Sequence, residues 1–115
     1  MKVINDTYGH LAGDMYIKTF ADNLIKHVRS SDILARYGGD EFVAVFHGTD
    51  SKKLIIKLEE LNESLKDNPF IFENDKIICS FSYGIVSFPQ EAQSYNQLVK
   101  VADDRMYEYK RTMKY

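Results

Sequence analysis

The order of elements read from the sequence is helix, strand, strand, helix, strand, strand, helix, which predicts an α+β domain. Apolar residues recur at helical spacing in three segments, and short apolar runs fall in two pairs. Each pair is joined by turn-forming residues, Gly38-Gly39 in one and Asn74-Asp75 in the other. Both pairs therefore read as antiparallel hairpins. An α/β sandwich is expected, with an antiparallel-rich central sheet and helices flanking it on one or both faces.

The elements follow in order. Residues 1–12 are rich in Asn, Asp, Gly and His and read as a loop with a short helical turn. Asp14 has the chemistry of a helix N-cap, and the helix it opens runs to about Val28. Ile17, Phe20, Ala21, Leu24, Ile25 and Val28 fall on one face of it. The first hairpin pairs 33–37 with 42–46. A second helix over 51–66 carries the stripe Leu54, Leu58, Leu61 and Leu65, and Asn68-Pro69 stops it. Strands over 70–73 and 76–88 form the second hairpin. The last helix, 94–112, buries Leu98, Val101, Ala102, Met106 and Tyr109. The arrangement calls for a central strand ahead of the first helix, and none is visible after Met1, so the chain reads as an N-terminally truncated single domain over 1–115.

Composition narrows the function. The chain has 115 residues, 44% hydrophobic and 28% charged, which suits one globular domain with a single core. Its net charge of −2, without any Lys/Arg block, argues against a nucleic-acid partner and against membrane contact by this segment. The single cysteine, Cys79, lies in an apolar run and reads as a reduced core residue, which places the chain in the cytoplasm. No apolar run approaches the ~18–20 residues that span a bilayer, and no signal peptide is visible.

The segment with most chemistry is Gly38-Gly39-Asp40-Glu41-Phe42. Glycine tolerates the positive φ of tight turns and lets backbone N–H groups approach an anion. An adjacent carboxylate can hold a divalent cation against that anion, so the pattern points to a metal-bound phosphate. The competing reading is a solvated acidic hairpin end. His10, His27 and His47 form no ligand cluster by spacing, and the aromatic residues fall mainly on core faces.

Three separated segments occur in a set order: 2–14, containing Asn5 and Asp14; Arg29-Ser30-Ser31-Asp32; and Arg36-Tyr37-Gly38-Gly39-Asp40-Glu41-Phe42. A fourth, 102–110, lies in the last helix. Together they resemble the GGDEF domain, whose fold is similar to the palm of nucleotide cyclases and polymerases (ferredoxin-like). Active members are diguanylate cyclases, which condense two GTP into cyclic di-GMP and pyrophosphate with Mg²⁺ or Mn²⁺. They act as homodimers in which each subunit holds one GTP.

The resemblance implies that Asp40 and Glu41 are catalytic and bind the metal. It implies that Asn5 and Asp14 bind guanine, although Asp14 as an N-cap and Asn5 as a turn residue stay open. Gly38 and Gly39 would line the substrate, and Lys110 and Lys114 would face its phosphates; a solvated helix end is the alternative for both lysines. Arg29 and Asp32 match an RxxD inhibitory site for cyclic di-GMP, against a plain local salt bridge. The family places a metal-binding aspartate on the strand missing here, so these 115 residues alone are expected to be weak or inactive cyclases. A sensory domain is expected upstream in the parent protein. The alternative function is a silent GGDEF-like sensor of cyclic di-GMP or GTP.

Overall fold

The computed structural model describes residues 2–112, with side chains from Ile4 onward. Its elements are α1 (Lys2–Tyr8), α2 (His10–Ile25), β1 (Ile33–Arg36), β2 (Phe42–Val45), α3 (Ser51–Asp67), β3 (Phe70–Phe72), β4 (Asp75–Ile77) and α4 (Tyr95–Thr112). The predicted α+β class and both antiparallel hairpins are present. The chain forms two compact units, one of Met1–Thr49 with Ile56–Ser80 and one of Asp50–Ile55 with Phe81–Tyr115.

In the first unit, helical structure starts earlier than the sequence suggests. Residues 2–8 form a full helix, and α2 begins at His10. Gly9, at φ 90°, separates them, a backbone state that costs glycine little. Asp14 is consequently the fifth residue of α2 and not its N-cap; the N-cap is Gly9, without a side-chain hydrogen bond. The helix also ends at Ile25, short of Val28, and Ile25 is exposed.

Successive turns of α2 serve two partners. Ala12 packs with Phe72 and Ile77 of the second hairpin, joined by Ile4, Tyr8, Met15, Tyr16 and Phe70. Tyr8 meets Phe72 edge-on at 6.2 Å, and Tyr16 meets Phe70 likewise at 6.4 Å. Further along, Phe20 packs edge-on against Phe42 of β2 at 5.3 Å. Leu58, Leu61 and Leu65 of α3 are buried as their spacing requires. Asn68 ends α3, its side-chain amide donating to the Ser64 carbonyl at 2.8 Å.

β1 pairs with β2 from Ile33↔Val45 to Arg36↔Phe42, and β3 with β4 from Phe70↔Ile77 to Phe72↔Asp75. The two-residue connection of the second hairpin is Glu73-Asn74, one position ahead of the expected Asn74-Asp75, with φ of 48° and 73°. That is the doubly left-handed geometry of a type I′ turn. The strand expected over 76–88 is regular only to Ile77, because no neighbouring strand among the described residues closes its ladder. A side chain substitutes at one point: the Tyr16 hydroxyl donates to the Ser80 carbonyl and accepts from the Ser80 N–H, both at 2.9 Å. Cys79 beside it is buried, and desolvation pushes its thiol pKa up to about 11.

In the second unit, Asp50 caps the start of α3 by accepting the Lys53 N–H at 2.8 Å. Ser94 caps α4 by accepting the Gln97 N–H at 3.2 Å, and the Gln97 side chain reaches back to the Gln93 N–H at 3.0 Å. Tyr83 packs on Tyr109 of α4 at 4.6 Å between ring centres. Arg105 binds the Ile85 carbonyl at 2.5 Å and the Glu91 carboxylate, whose pKa falls to about 2 mainly through that bond. The 81–85 run lies directly on α4 at Gly84. A Cβ there would clash with the Ala102 carbonyl and sit 2.7 Å from the Met106 nitrogen.

Backbone atoms cannot retract as a side-chain tip can, so Gly84→Ala is expected to destabilise the chain by about 1–3 kcal/mol. Urea midpoints of the two proteins measure this, and equal midpoints would show that the contact is not tight.

Candidate functional site

The sequence places its chemistry on the β1–β2 hairpin, and the turn closes differently from expectation. Neither Gly38 nor Gly39 has positive φ; among the described glycines only Gly9 and Gly48 do. The connection spans 37–41 and closes on one acceptor, the Glu41 carbonyl, which takes the N–H of Tyr37 at 2.8 Å and of Gly38 at 3.2 Å. Glu41 N–H returns to the Gly38 carbonyl at 3.4 Å. A Cβ at Gly38 or Gly39 would meet nothing within 4 Å, so neither packing nor turn sign demands glycine here. Asp40 and Glu41 are exposed beside them.

Arg36, the last residue of β1, folds over this turn. Its Nε donates to the carbonyls of Gly38 and Gly39, each at 3.2 Å, and its Nη2 also donates to the Gly39 carbonyl. The same residue walls a cleft of about 300 Å³ with Asp14, Ile17, Lys18, Ala21 and Phe42. The cleft sets one carboxylate, Asp14, and two cations, Lys18 and Arg36, around apolar Ile17, Ala21 and Phe42, a mixed lining that a planar polar heterocycle could use. Asp14 thus stands beside Arg36 and Phe42 of the hairpin. Asn5 lies on α1, which packs against α2. Its Oδ1 is buried with no hydrogen-bond partner among the described residues, and Asn5 is not one of the residues lining the cleft.

Arg29 and Asp32 are brought together, but chiefly with each other. The Asp32 carboxylate accepts the Arg29 N–H at 3.0 Å, its Nε at 3.3 Å, and the His47 N–H at 3.1 Å. The Arg29 Nη2 also donates to the His47 carbonyl. The Asp32 side chain has no exposed surface, yet its cover is this ring of donors, so hydrogen bonding outweighs desolvation. The carboxyl pKa drops from 3.8 to about 2, first through the His47 and then the Arg29 backbone bond. His47, which belongs to no ligand cluster by spacing, is held at both its backbone and its ring, where Nδ1 lies 2.9 Å from the Ser31 carbonyl.

Lys110 is exposed in the last turn of α4, in the second unit, where a cation complements the helix dipole. Lys114 lies outside the described residues. No group of three or more His, Cys, Asp or Glu forms a metal cluster among the described residues. Two adjacent exposed carboxylates nevertheless fit Mg²⁺, which is commonly held by one or two carboxylates plus substrate phosphates. The contribution of Arg36 was missed by sequence reading; the available signal was a forked cation placed immediately before a glycine-rich turn.

The α+β frame presents the Gly-Gly-Asp-Glu-Phe hairpin beside a cleft with Asp14 on its rim. The family model "Diguanylate cyclase, GGDEF domain" matches residues 1–115, and the chain belongs to that family. It is 33% identical over 109 residues to Diguanylate cyclase A of Treponema denticola, covering 95% of this chain and 29% of the relative. Diguanylate cyclase DgcP of Pseudomonas aeruginosa is 36% identical, over 96% of this chain and 16% of that protein. The chain thus spans under a third of these relatives' length. Among solved structures, a sensory box/GGDEF family protein from Caulobacter crescentus matches with TM-score 0.83 and 32% identity, covering 97% of this chain and 72% of that one. The GGDEF domain of DgcB from the same organism, solved in complex with c-di-GMP, matches with TM-score 0.87 and 26% identity, covering 98% and 67%. No helix among the described residues is long and apolar enough to cross a membrane.

The lowered Asp32 pKa carries a sign. Its stabilising contribution is complete above the ordinary carboxyl value of 3.8 and is lost as pH falls through about 2. Urea midpoints followed from pH 5 downward should therefore fall more gently for Asp32→Asn than for the unsubstituted chain. Parallel acid limbs would show that the His47 and Arg29 bonds do not form in solution.

Proposed function

We propose that this domain serves a diguanylate cyclase, holding GTP in the cleft beside the hairpin for condensation into cyclic di-GMP and pyrophosphate. The observation that supports it best is Asp14 on the rim of a cleft that Arg36 and Phe42 of the hairpin also wall. Guanine presents N1–H and N2–H₂ on one edge. The Asp14 carboxylate would accept N1–H and one N2 hydrogen, and Asn5 Oδ1 the other. Ile17, Ala21 and Phe42 would exclude water from the ring.

Asp40 and Glu41 would hold Mg²⁺ (or Mn²⁺), which when bound neutralises charge on the triphosphate. Attack of a ribose 3′-hydroxyl on the α-phosphate needs two nucleotides in line, so the proposed active form is a homodimer with one GTP per subunit. For Lys110 the proposed role is a point charge on phosphate oxygens, and Lys114 is proposed alongside it. Cyclic di-GMP would inhibit by binding Arg29 and Asp32. Their mutual pairing implies that the ligand displaces part of an existing ion pair, replacing charge-assisted bonds with others of like kind.

In a longer protein that carries this domain and makes cyclic di-GMP from GTP with Mg²⁺, Asp40→Asn should lower its formation by about a hundredfold or more while leaving GTP-dependent heat in calorimetry. Inosine triphosphate, lacking the N2 amine, should bind about tenfold more weakly than GTP. Equal affinity for the two nucleotides would sink the guanine assignment. Separately, Arg29→Ala should raise the cyclic di-GMP concentration that halves synthesis by about tenfold or more. An unchanged inhibition curve would leave Arg29 and Asp32 as a structural pair alone.

A further inference from the structure

The strap at the open end of the first hairpin is electrically balanced. Asp32 accepts from the Arg29 N–H and Nε and from the His47 N–H, and its side chain has no exposed surface, whereas that of Arg29 is 53% exposed. One cation against one anion leaves the pair neutral. Cyclic di-GMP carries two phosphodiester charges, and a neutral pair attracts a dianion weakly.

The imidazole of His47 is the group that can change this balance. A carbonyl only accepts, so the 2.9 Å contact with the Ser31 carbonyl requires the hydrogen on Nδ1. A neutral ring then presents Nε2 as a lone pair, and a protonated ring presents it as an N–H donor. His47 is exposed, and no described residue bonds its Nε2. The charged groups held against His47 are Arg29 on its carbonyl and Asp32 on its N–H. From α3, Lys57 lies 5.8 Å from the ring centre of neighbouring Phe46.

We infer that protonated His47 is a binding residue for cyclic di-GMP, donating from Nε2 to a phosphate oxygen beside Arg29. This rests on the reading of Arg29 and Asp32 above and adds a residue to it. Binding then takes up one proton, which becomes the Nε2–H that meets the phosphate. The complex holds that proton more tightly than the free chain does. Affinity therefore rises as pH falls through the range in which histidine gains its charge. The N–H that Asp32 accepts belongs to the backbone, so replacing the imidazole leaves that bond in place.

The test is calorimetry of the 115-residue chain with cyclic di-GMP at about pH 8 and about pH 6, in buffers of high and low ionisation heat. Binding should tighten about tenfold at the lower pH, and the buffer dependence of the heat should report proton uptake. His47→Ala and His47→Gln should each bind alike at the two pH values, without proton uptake. Amide exchange at residue 47 should stay slow in both variants, because the bond to Asp32 is intact. Equal affinity of the unsubstituted chain at the two pH values would overturn the assignment. So would a pH dependence that both variants keep, since the proton would then go to another group, such as His10 or His27. Quickened exchange at residue 47 in both variants would make the imidazole a brace of the strap and not a ligand contact. If cyclic di-GMP binds at neither pH, the inhibitory-site reading of Arg29 and Asp32 fails and takes His47 with it.

Discussion

Helix α2 has to satisfy two hairpins at once, and the first unit depends on that double contact. An isolated two-stranded hairpin is marginal in water, and this unit has two that share no ladder. Each is backed by a different turn of the same helix, Ala12 and Tyr16 toward the second and Phe20 toward the first. Tyr16 contributes twice, burying its ring against Phe70 while its hydroxyl replaces a missing strand at Ser80. Because α2 also carries Asp14 and Ile17, the packing that supports the hairpins fixes where the cleft lies relative to the turn.

The first hairpin is tied by polar straps at both ends. At its open end Asp32 collects the N–H groups of Arg29 and His47, linking the chain before β1 to the chain after β2. At its closed end Arg36 gathers two carbonyls. Between them lie only four residue pairs, several of them exposed, including Ile33 and Val45. A ladder this short derives little stability from its own side chains, so these charge-assisted bonds bear directly on its register.

Much of the fold was legible where a side-chain pattern repeats over many residues. The leucine stripe of α3 is an example, because amphipathic spacing over several turns admits few other readings, whereas in α4 the expected core residues Leu98, Val101, Ala102, Met106 and Tyr109 are only half-buried. The candidate residues were named through the order of several motifs. The backbone solutions were not. The sequence assigns the left-handed turn to Gly38-Gly39, while the chain uses that geometry at Glu73-Asn74, where Asn tolerates it and the strand pairing imposes it. Residues 2–8 read as loop because Asn5, Asp6 and Thr7 are weak helix formers, yet Ile4 and Tyr8 pack inward and override propensity. The extent of the last strand was illegible for a similar reason: a ladder needs a partner, and a partner is a property of the assembled chain.

The bare backbone contact at Gly84 has a mechanical meaning for α4. Side chains that interdigitate loosely let a helix slide, whereas a glycine seated against the Ala102 carbonyl and the Met106 nitrogen engages the helical thread itself. Translation along the axis by one residue, about 1.5 Å, would drive the next side chain into the 81–85 run. The helix is thereby indexed like a screw held by a pin. Every residue it carries toward its C-terminus, Lys110 among them, inherits an axial position measured from that one point.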